Sequence, residues 1–294
     1  MARVAAIDCG TNSIRLLVAD VSGDNFREIQ REMEIVRLGQ GVDATGQFDP
    51  EAIERTLTAT RKFAEIIQSK GAEKIRFCAT SATRDASNRE MFINGVKEIL
   101  GIEPEVIPGV EEASLSFIGA TKELKHAEAP YLVVDIGGGS TEFVFGNEEV
   151  KYAKSVNIGC VRMSERHLKV QPPKPLDVQN AIVDIDAAIA EASHIVPLKE
   201  AKTLIAVAGT ATTVAAAALG LDQYDRNAIH LSRIPAQKVL EVAQMFGGEL
   251  QFIPPRPGDR KSGLADVKQT EQMLGWKAKK ELKDWIVEVR MRLG

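Results

Sequence analysis

Ala6-Ile7-Asp8-Cys9-Gly10-Thr11-Asn12-Ser13 and, about 125 residues later, Val133-Val134-Asp135-Ile136-Gly137-Gly138-Gly139-Ser140-Thr141-Glu142 are written on one plan: an apolar run, an aspartate, then glycines beside hydroxyl side chains. An apolar run of this length reads as a buried strand. Glycines let the following turn expose consecutive N–H groups with no Cβ in the way, which makes a concave anion site, and an aspartate ending the strand can hold a divalent cation against it. Two such turns facing each other would clamp a chain of phosphates.

Working outward, each turn sits inside a strand-turn-strand unit. Val4 to Asp8 and Ile14 to Asp20 frame the first, and a third strand is expected over Phe26 to Val36. Asp49-Pro50 then opens a helix, Asp as N-cap and Pro at the first helical position, with Ile53, Leu57, Phe63, Ile66 and Ile67 at near-helical spacing. Lys74 to Ala79 reads as a strand, and Glu90 to Leu100 and Glu111 to Thr121 as helices. The grammar restarts at Tyr131, with strands over Thr141 to Gly146 and Ser155 to Gly159, a helix over Leu176 to Ile195, and a strand over Leu204 to Val207 running into Gly209-Thr210-Ala211-Thr212-Thr213. The opening unit is thus used twice, which predicts two α/β halves, residues 1–126 and 127–246, with residues 247–294 as a tail.

The bulk numbers exclude several classes. At 294 residues, 44% hydrophobic and 27% charged, the chain can bury the cores of two domains. Its apolar stretches are interrupted, as Leu204 to Leu221 is by Gly209, Thr210, Thr212 and Thr213, so none reads as a membrane span. Three cysteines, Cys9, Cys78 and Cys160, are too few and too scattered for a disulfide framework and read as small buried hydrophobes of a reducing compartment. With no signal-peptide pattern ahead of the first strand, a cytoplasmic location is expected. Four scattered histidines offer no zinc spacing, and a net charge of −4 leaves no global attraction for a nucleic acid or any other polyanion. Phosphate attraction must be local.

Six pieces in fixed order then carry a resemblance: Asp8-Cys9-Gly10-Thr11-Asn12-Ser13, Ala79-Thr80-Ser81-Ala82-Thr83-Arg84-Asp85-Ala86, Glu111-Glu112-Ala113, Asp135 through Glu142, Gly159-Cys160-Val161-Arg162, and Ala208-Gly209-Thr210-Ala211-Thr212-Thr213. Over about residues 1 to 240 the chain resembles the exopolyphosphatase and guanosine pentaphosphate phosphatase family (Ppx/GppA). The resemblance implies a two-domain α/β fold of the actin-like ATPase type (sugar kinase/Hsp70/actin, ribonuclease H-like) with an interdomain cleft. It also implies Mg²⁺-dependent hydrolysis of the terminal phosphate of inorganic polyphosphate, or of the 5′ phosphate of guanosine pentaphosphate, in which the same bond is broken.

Carried onto this sequence, Glu112 is the expected general base, with Glu111 the weaker candidate. Asp8, Asp135 and Glu142 hold or orient Mg²⁺, directly or through water. Gly10, Thr11, Asn12, Ser13, Gly137, Gly138, Gly139, Ser140 and Thr141 cradle phosphates, and Arg84 adds a two-pronged cation. Arg15, Arg89, Lys154, Arg162, Arg166 and Lys169 are candidates for a basic track along which a polymer would extend. A homodimer is possible; a kinase or ATPase on the same fold, and a sensor that binds phosphate without turnover, are the rivals.

From about Phe246 the pattern changes. Gly247-Gly248-Glu249, Phe252 through Arg260, Leu264-Ala265-Asp266 and Leu274-Gly275-Trp276 resemble the C-terminal end of nucleotide-sugar epimerases, which suggests a chimera. The epimerase activity itself is not implied, since the chain has neither a Gly-x-Gly-x-x-Gly after a strand nor a Tyr-x-x-x-Lys pair.

Overall fold

Burial alternates along the first strand: Ala5, Ile7 and Cys9 face the core, while Ala6 and Asp8 face away from it. The period of two in a strand therefore delivers Asp8 to an open face while its neighbours anchor the backbone. The computed structural model describes residues 2–23, 25–122, 124, 127–170 and 173–245. The described residues up to 212 form one compact unit, and those from 213 to 245 belong to a second.

Within the first unit, β1 (Ala2–Cys9), β2 (Ser13–Ser22) and β3 (Asn25–Ile35) make an antiparallel meander, followed by α1 (Val42–Thr45) and α2 (Pro50–Lys70). Then come β4 (Lys74–Ala79), α3 (Ser81–Asp85), α4 (Arg89–Leu100), β5 (Glu105–Val106) and α5 (Gly109–Thr121). The meander recurs as β6 (Tyr131–Ile136), β7 (Thr141–Gly146) and β8 (Val150–Val156), followed by α6 (Cys160–His167), α7 (Pro175–Ser193), β9 (Thr203–Val207) and the start of α8 (Ala208–Ala218). The sheets run β3-β2-β1-β4-β5 and β8-β7-β6-β9, with β4 and β9 each parallel to the first strand of its meander. Two sheets of matching order are the architectural trace of the repeated motif.

The first core is formed by α2 and α4 on one face of the first sheet, where Phe63, Phe77 and Phe92 are almost fully buried and Phe77 meets Phe92 edge-on at 6.2 Å between ring centroids. Helix α2 starts where the sequence predicts: Asp49 Oδ1 accepts the N–H groups of Glu51 and Ala52 at 2.8 and 3.2 Å, ahead of Pro50. The second sheet is covered on both faces. One face packs Phe143, Phe145 and Val156 beside Ile185, Ala188 and Ala192 of α7; on the other, Val133 and Val144 meet Ala113 and Phe117 of α5. All of β7 is consequently buried.

Several local expectations are corrected. The strand expected over residues 155–159 lies mostly earlier: β8 starts at Val150 and ends at Val156, so it takes in only 155 and 156 of that stretch, and Gly159 caps the N-terminus of α6. Residues 81–85 form the short helix α3, and the stretch after β9 is the helix α8, entered through Ala208 at φ 70°. Cysteine burial holds for Cys9 only; Cys78 is half-buried and Cys160 exposed. In the second unit α9 (Arg226–Ile229) and α10 (Ala236–Met245) complete the described chain, Asp225 capping α9 at 2.8 Å from the N–H of Asn227. The epimerase-like segment 247–294 lies outside the described residues.

Candidate active site

The turn geometry of the two loops is the same. Gly10 N–H donates to Ser13 O at 2.9 Å, and Gly137 N–H donates to Ser140 O at 3.0 Å. Each turn closes its hairpin on the last strand pairs, Cys9 with Ile14 and Ile136 with Thr141. Among the described residues, the N–H groups of Thr11, Asn12, Gly138 and Gly139 donate to no protein acceptor. Open donors at two adjacent turns are what an anion needs.

The turns also touch. A Cβ on Gly138 would lie 3.0 Å from Thr11 Cβ and 3.3 Å from Asn12 Cβ; one on Gly139 would lie 2.6 Å from Thr11 Oγ1 and 2.8 Å from Ser81 Oγ. Glycine is needed here for close approach. Thr11 itself is buried, wedged between Gly139 and Gly39, so it joins the loops and offers an anion only its backbone.

Helix α6 holds the second turn from behind. Its first amides bind the loop carbonyls, Cys160 N to Gly137 O at 3.0 Å, Val161 N and Arg162 N to Gly138 O at 2.9 and 3.0 Å. Gly159 sits so near that a Cβ would fall 2.5 Å from Gly138 O. These contacts use the helix's unsatisfied N-terminal donors to fix the carbonyls, leaving the loop's own N–H groups facing away. The sequence motif contained Gly159, but nothing in it signalled this packing role.

The acidic residues are assembled by register. Asp135 on β6, Glu142 on β7 and Ser155 on β8 are paired across the sheet and share the face that α5 covers. Helix α5 brings Ser116, which donates to Asp135 Oδ2, and Glu112. Ser155 Oγ donates to Glu142 Oε1 at 2.7 Å, and Gly109 abuts Ser155 because a Cβ would stand 2.7 Å from the serine's own. Neither serine was singled out by sequence. Glu111 turns outward to Arg76 at 2.7 Å, whereas Glu112 turns inward, its side chain 18% exposed, and takes Arg84 Nη1 at 2.8 Å. The same Arg84 nitrogen also donates to Ile107 O at 2.8 Å.

Burial pushes the Glu112 carboxyl above its ordinary range, Arg84 opposes this, and the charges of Asp8 and Asp135 add to it. Glu142 is pushed up to about 8, by burial first and by the charge of Glu112 next, against the hydrogen bonds from Ser155 and Ser140. Asp8 is also raised, by the protein packed around it, with Arg15 pulling down and Asp135 pushing up; its side chain remains half open to solvent. Acids sharing one region this way are held apart from their usual titration by mutual repulsion as well as burial.

A pH dependence of stability follows. Folded Glu142 binds its proton more tightly than the unfolded chain does, so its contribution is fully present below about pH 4.5, the ordinary glutamate value, and is lost as pH rises through about 8. Metal-free protein should lose melting temperature between about pH 5 and 8, and Glu142→Gln should lose less over the same range. Equal slopes in a thermal-melt series would contradict the assignment.

Mg²⁺ was expected on Asp8, Asp135 and Glu142. Among the described residues no three Asp, Glu, His or Cys side chains converge closely enough to hold a metal ion. Glu142 is 1% exposed, and its Oε1 accepts the Ser155 hydroxyl. Asp8 and Asp135 remain close enough for their charges to interact. A pair of carboxylates suits Mg²⁺, which keeps several waters and shares itself with substrate phosphates.

Four of the six residues of the expected basic track are already paired. Arg162, 11% exposed, is consumed by Gly139 O, Asp43 and Asp85; Arg166 pairs with Asp43 and Asp184, Lys154 with Glu191, and Arg15 with Asp8. A cation's partners lie far away in sequence, and charge pattern alone does not reveal them.

Two matching sheets, each offering a glycine turn to the other above a set of buried acids, define a phosphate-handling protein of the actin-like ATPase fold. The model of the Ppx/GppA phosphatase family matches residues 17–248, and the chain belongs to that family. It is 50% identical, over 91% of its length and 86% of the relative's, to Exopolyphosphatase 2 of Mycobacterium tuberculosis. The crystal structure of an exopolyphosphatase-like protein superposes with a TM-score of 0.74 at 50% identity, covering 76% of this chain and 70% of that one. The PPX-GPPA enzyme of Aquifex aeolicus gives 0.68 at 30% identity, covering 83% and 80%. Nothing in these likenesses supports an epimerase origin for the tail, and the 91% span of the Mycobacterium match already reaches past residue 247.

Proposed function

We propose that the protein is an exopolyphosphatase that hydrolyses the terminal phosphoanhydride bond of inorganic polyphosphate in the cytoplasm. The observation that carries this reading is the pair of touching turns with uncommitted N–H groups at Thr11, Asn12, Gly138 and Gly139, beside the Glu112–Arg84 pair. The 50% identity to a mycobacterial exopolyphosphatase supports it.

In this mechanism the turns bind the end phosphate and stabilise charge as it develops, since donors fixed in advance cost no reorganisation at the moment of reaction. Glu112 orients a water in line with the scissile bond and accepts its proton. Arg84 spans both tasks, because an incoming phosphate competes with Glu112 for its guanidinium. Mg²⁺, held by Asp8 and Asp135 together with the substrate, would neutralise phosphate charge. Ser116 and Ser155 keep Asp135 and Glu142 in place.

The test is phosphate release from long polyphosphate, guanosine pentaphosphate and ATP, each with and without Mg²⁺. Polyphosphate should be the best substrate. Preference for guanosine pentaphosphate would move the assignment to the other activity in the family's description, and release from none would leave a binding protein.

A further inference from the structure

We propose that Arg162 is a positioning residue that ties the second glycine turn to the half of the molecule carrying Arg84, so that the two phosphate-holding loops are aligned as one body. The proposal deepens the functional reading above and rests on it. One guanidinium makes three kinds of bond: Nε to Gly139 O at 2.6 Å, Nη1 to Asp43 Oδ1 at 2.6 Å, and Nη2 to Asp85 Oδ2. Gly139 belongs to the turn itself, Asp43 to α1, and Asp85 ends α3, next in sequence to Arg84. Loop placement and clamp placement therefore meet on one side chain.

The surroundings reinforce the tie. Glu165, one residue before Arg166 on α6, accepts Gly41 N–H at 3.1 Å with either oxygen, and Arg166 holds Asp43 at 2.8 and 3.0 Å. The contact is nearly filled: a cavity of only about 10 Å³ remains among Thr11, Gly39, Asp43, Ala82, Gly139 and Arg162. A planar fork can satisfy carbonyl and two carboxylates at once, whereas an ammonium is a single point charge on a flexible stem. Lysine would keep the charge and lose the geometry.

Arg162→Lys should keep the fold, because Asp43 retains Arg166 and Asp85 is partly solvated. It should lower kcat on the preferred substrate by about 10-fold or more, as expected for a loop displaced by a fraction of an ångström, while KM changes much less. Independently of turnover, hydrogen exchange at the bonded amides that hold the turn, Gly137 within it and Cys160 and Val161 on α6, should quicken at least several-fold, with the core strand at 74–79 unchanged. Asp85→Asn provides a second variant, expected to shift the same exchange in the same direction by less. Should the unmodified chain hydrolyse nothing, the exchange measurement still decides the proposal while the functional reading falls. Protection at Gly137, Cys160 and Val161 identical to the parent in both variants, or a kcat loss that merely follows a fall in melting temperature, would overturn it.

Discussion

Gly159→Ala should cut kcat by about 100-fold or more while leaving the protein folded, the size expected when reacting groups move by about an ångström. The cause is contact, not backbone strain, since Gly159 has φ −177°, which any residue adopts. An added Cβ would sit 2.5 Å from Gly138 O, 2.6 Å from Gly138 C and 2.8 Å from Gly137 O. All three atoms are backbone, so no side chain can rotate away to make room. Relief comes only by pushing the second turn off α6, breaking the bonds from Cys160, Val161 and Arg162 that aim its carbonyls. Gly119→Ala is the control: no atom lies within 4 Å of the site of its Cβ, and alanine is the better helix former. Circular dichroism melts with a phosphate-release assay would check both. A Gly159→Ala protein with parental turnover would remove α6 from the account of the site.

What the sequence disclosed and what it concealed divide along one physical line. The turns at Gly10–Ser13 and Gly137–Ser140 were readable because their requirement is local: an apolar run, an acid, then residues that let a tight turn expose N–H groups. The same holds for Asp49 as a cap and for α2, whose buried residues from Ala52 to Ile67 fall at helical spacing. Gly159 was visible as a letter in a motif, yet its need for a missing Cβ is created by a carbonyl twenty-one residues earlier in the chain. Arg162 and Arg166 looked like solvent-facing cations because their acceptors are at Asp43, Asp85 and Asp184. Ser116 and Ser155 carried no signal at all; only the pairing of Asp135, Glu142 and Ser155 under α5 gives them partners. Short helices such as α3 and α6 escaped for a related reason. At five and eight residues they are too brief for periodicity to register and are stabilised mainly by what they pack on.

Glu112→Gln should reduce phosphate release by roughly 10³-fold, the typical worth of a positioned general base, with little change in substrate affinity. Glutamine keeps the shape and can still accept a hydrogen bond from Arg84, so a loss of this size cannot be assigned to collapse of the pair. The substitution has a second consequence that a purely structural glutamate would not produce. Glu112's charge is the second-largest influence raising Glu142, so its removal should lower the pKa of Glu142 from about 8 and shrink the loss of melting temperature between about pH 5 and 8. The two readouts separate the role of Glu112 in chemistry from its role in electrostatics. Arg84 connects them, because it stabilises the ionised form of Glu112 in the free enzyme against burial and the charges of Asp8 and Asp135. When a phosphate draws Arg84 away, that stabilisation is lost and Glu112 becomes a stronger base at the moment a water lies beside it. Arg84→Lys should therefore raise KM and lower kcat together, whereas Glu112→Gln should act on kcat alone. A Glu112→Gln enzyme that retained even a tenth of parental kcat would take the base out of the mechanism and leave charge stabilisation by the turns, Arg84 and Mg²⁺ to carry it.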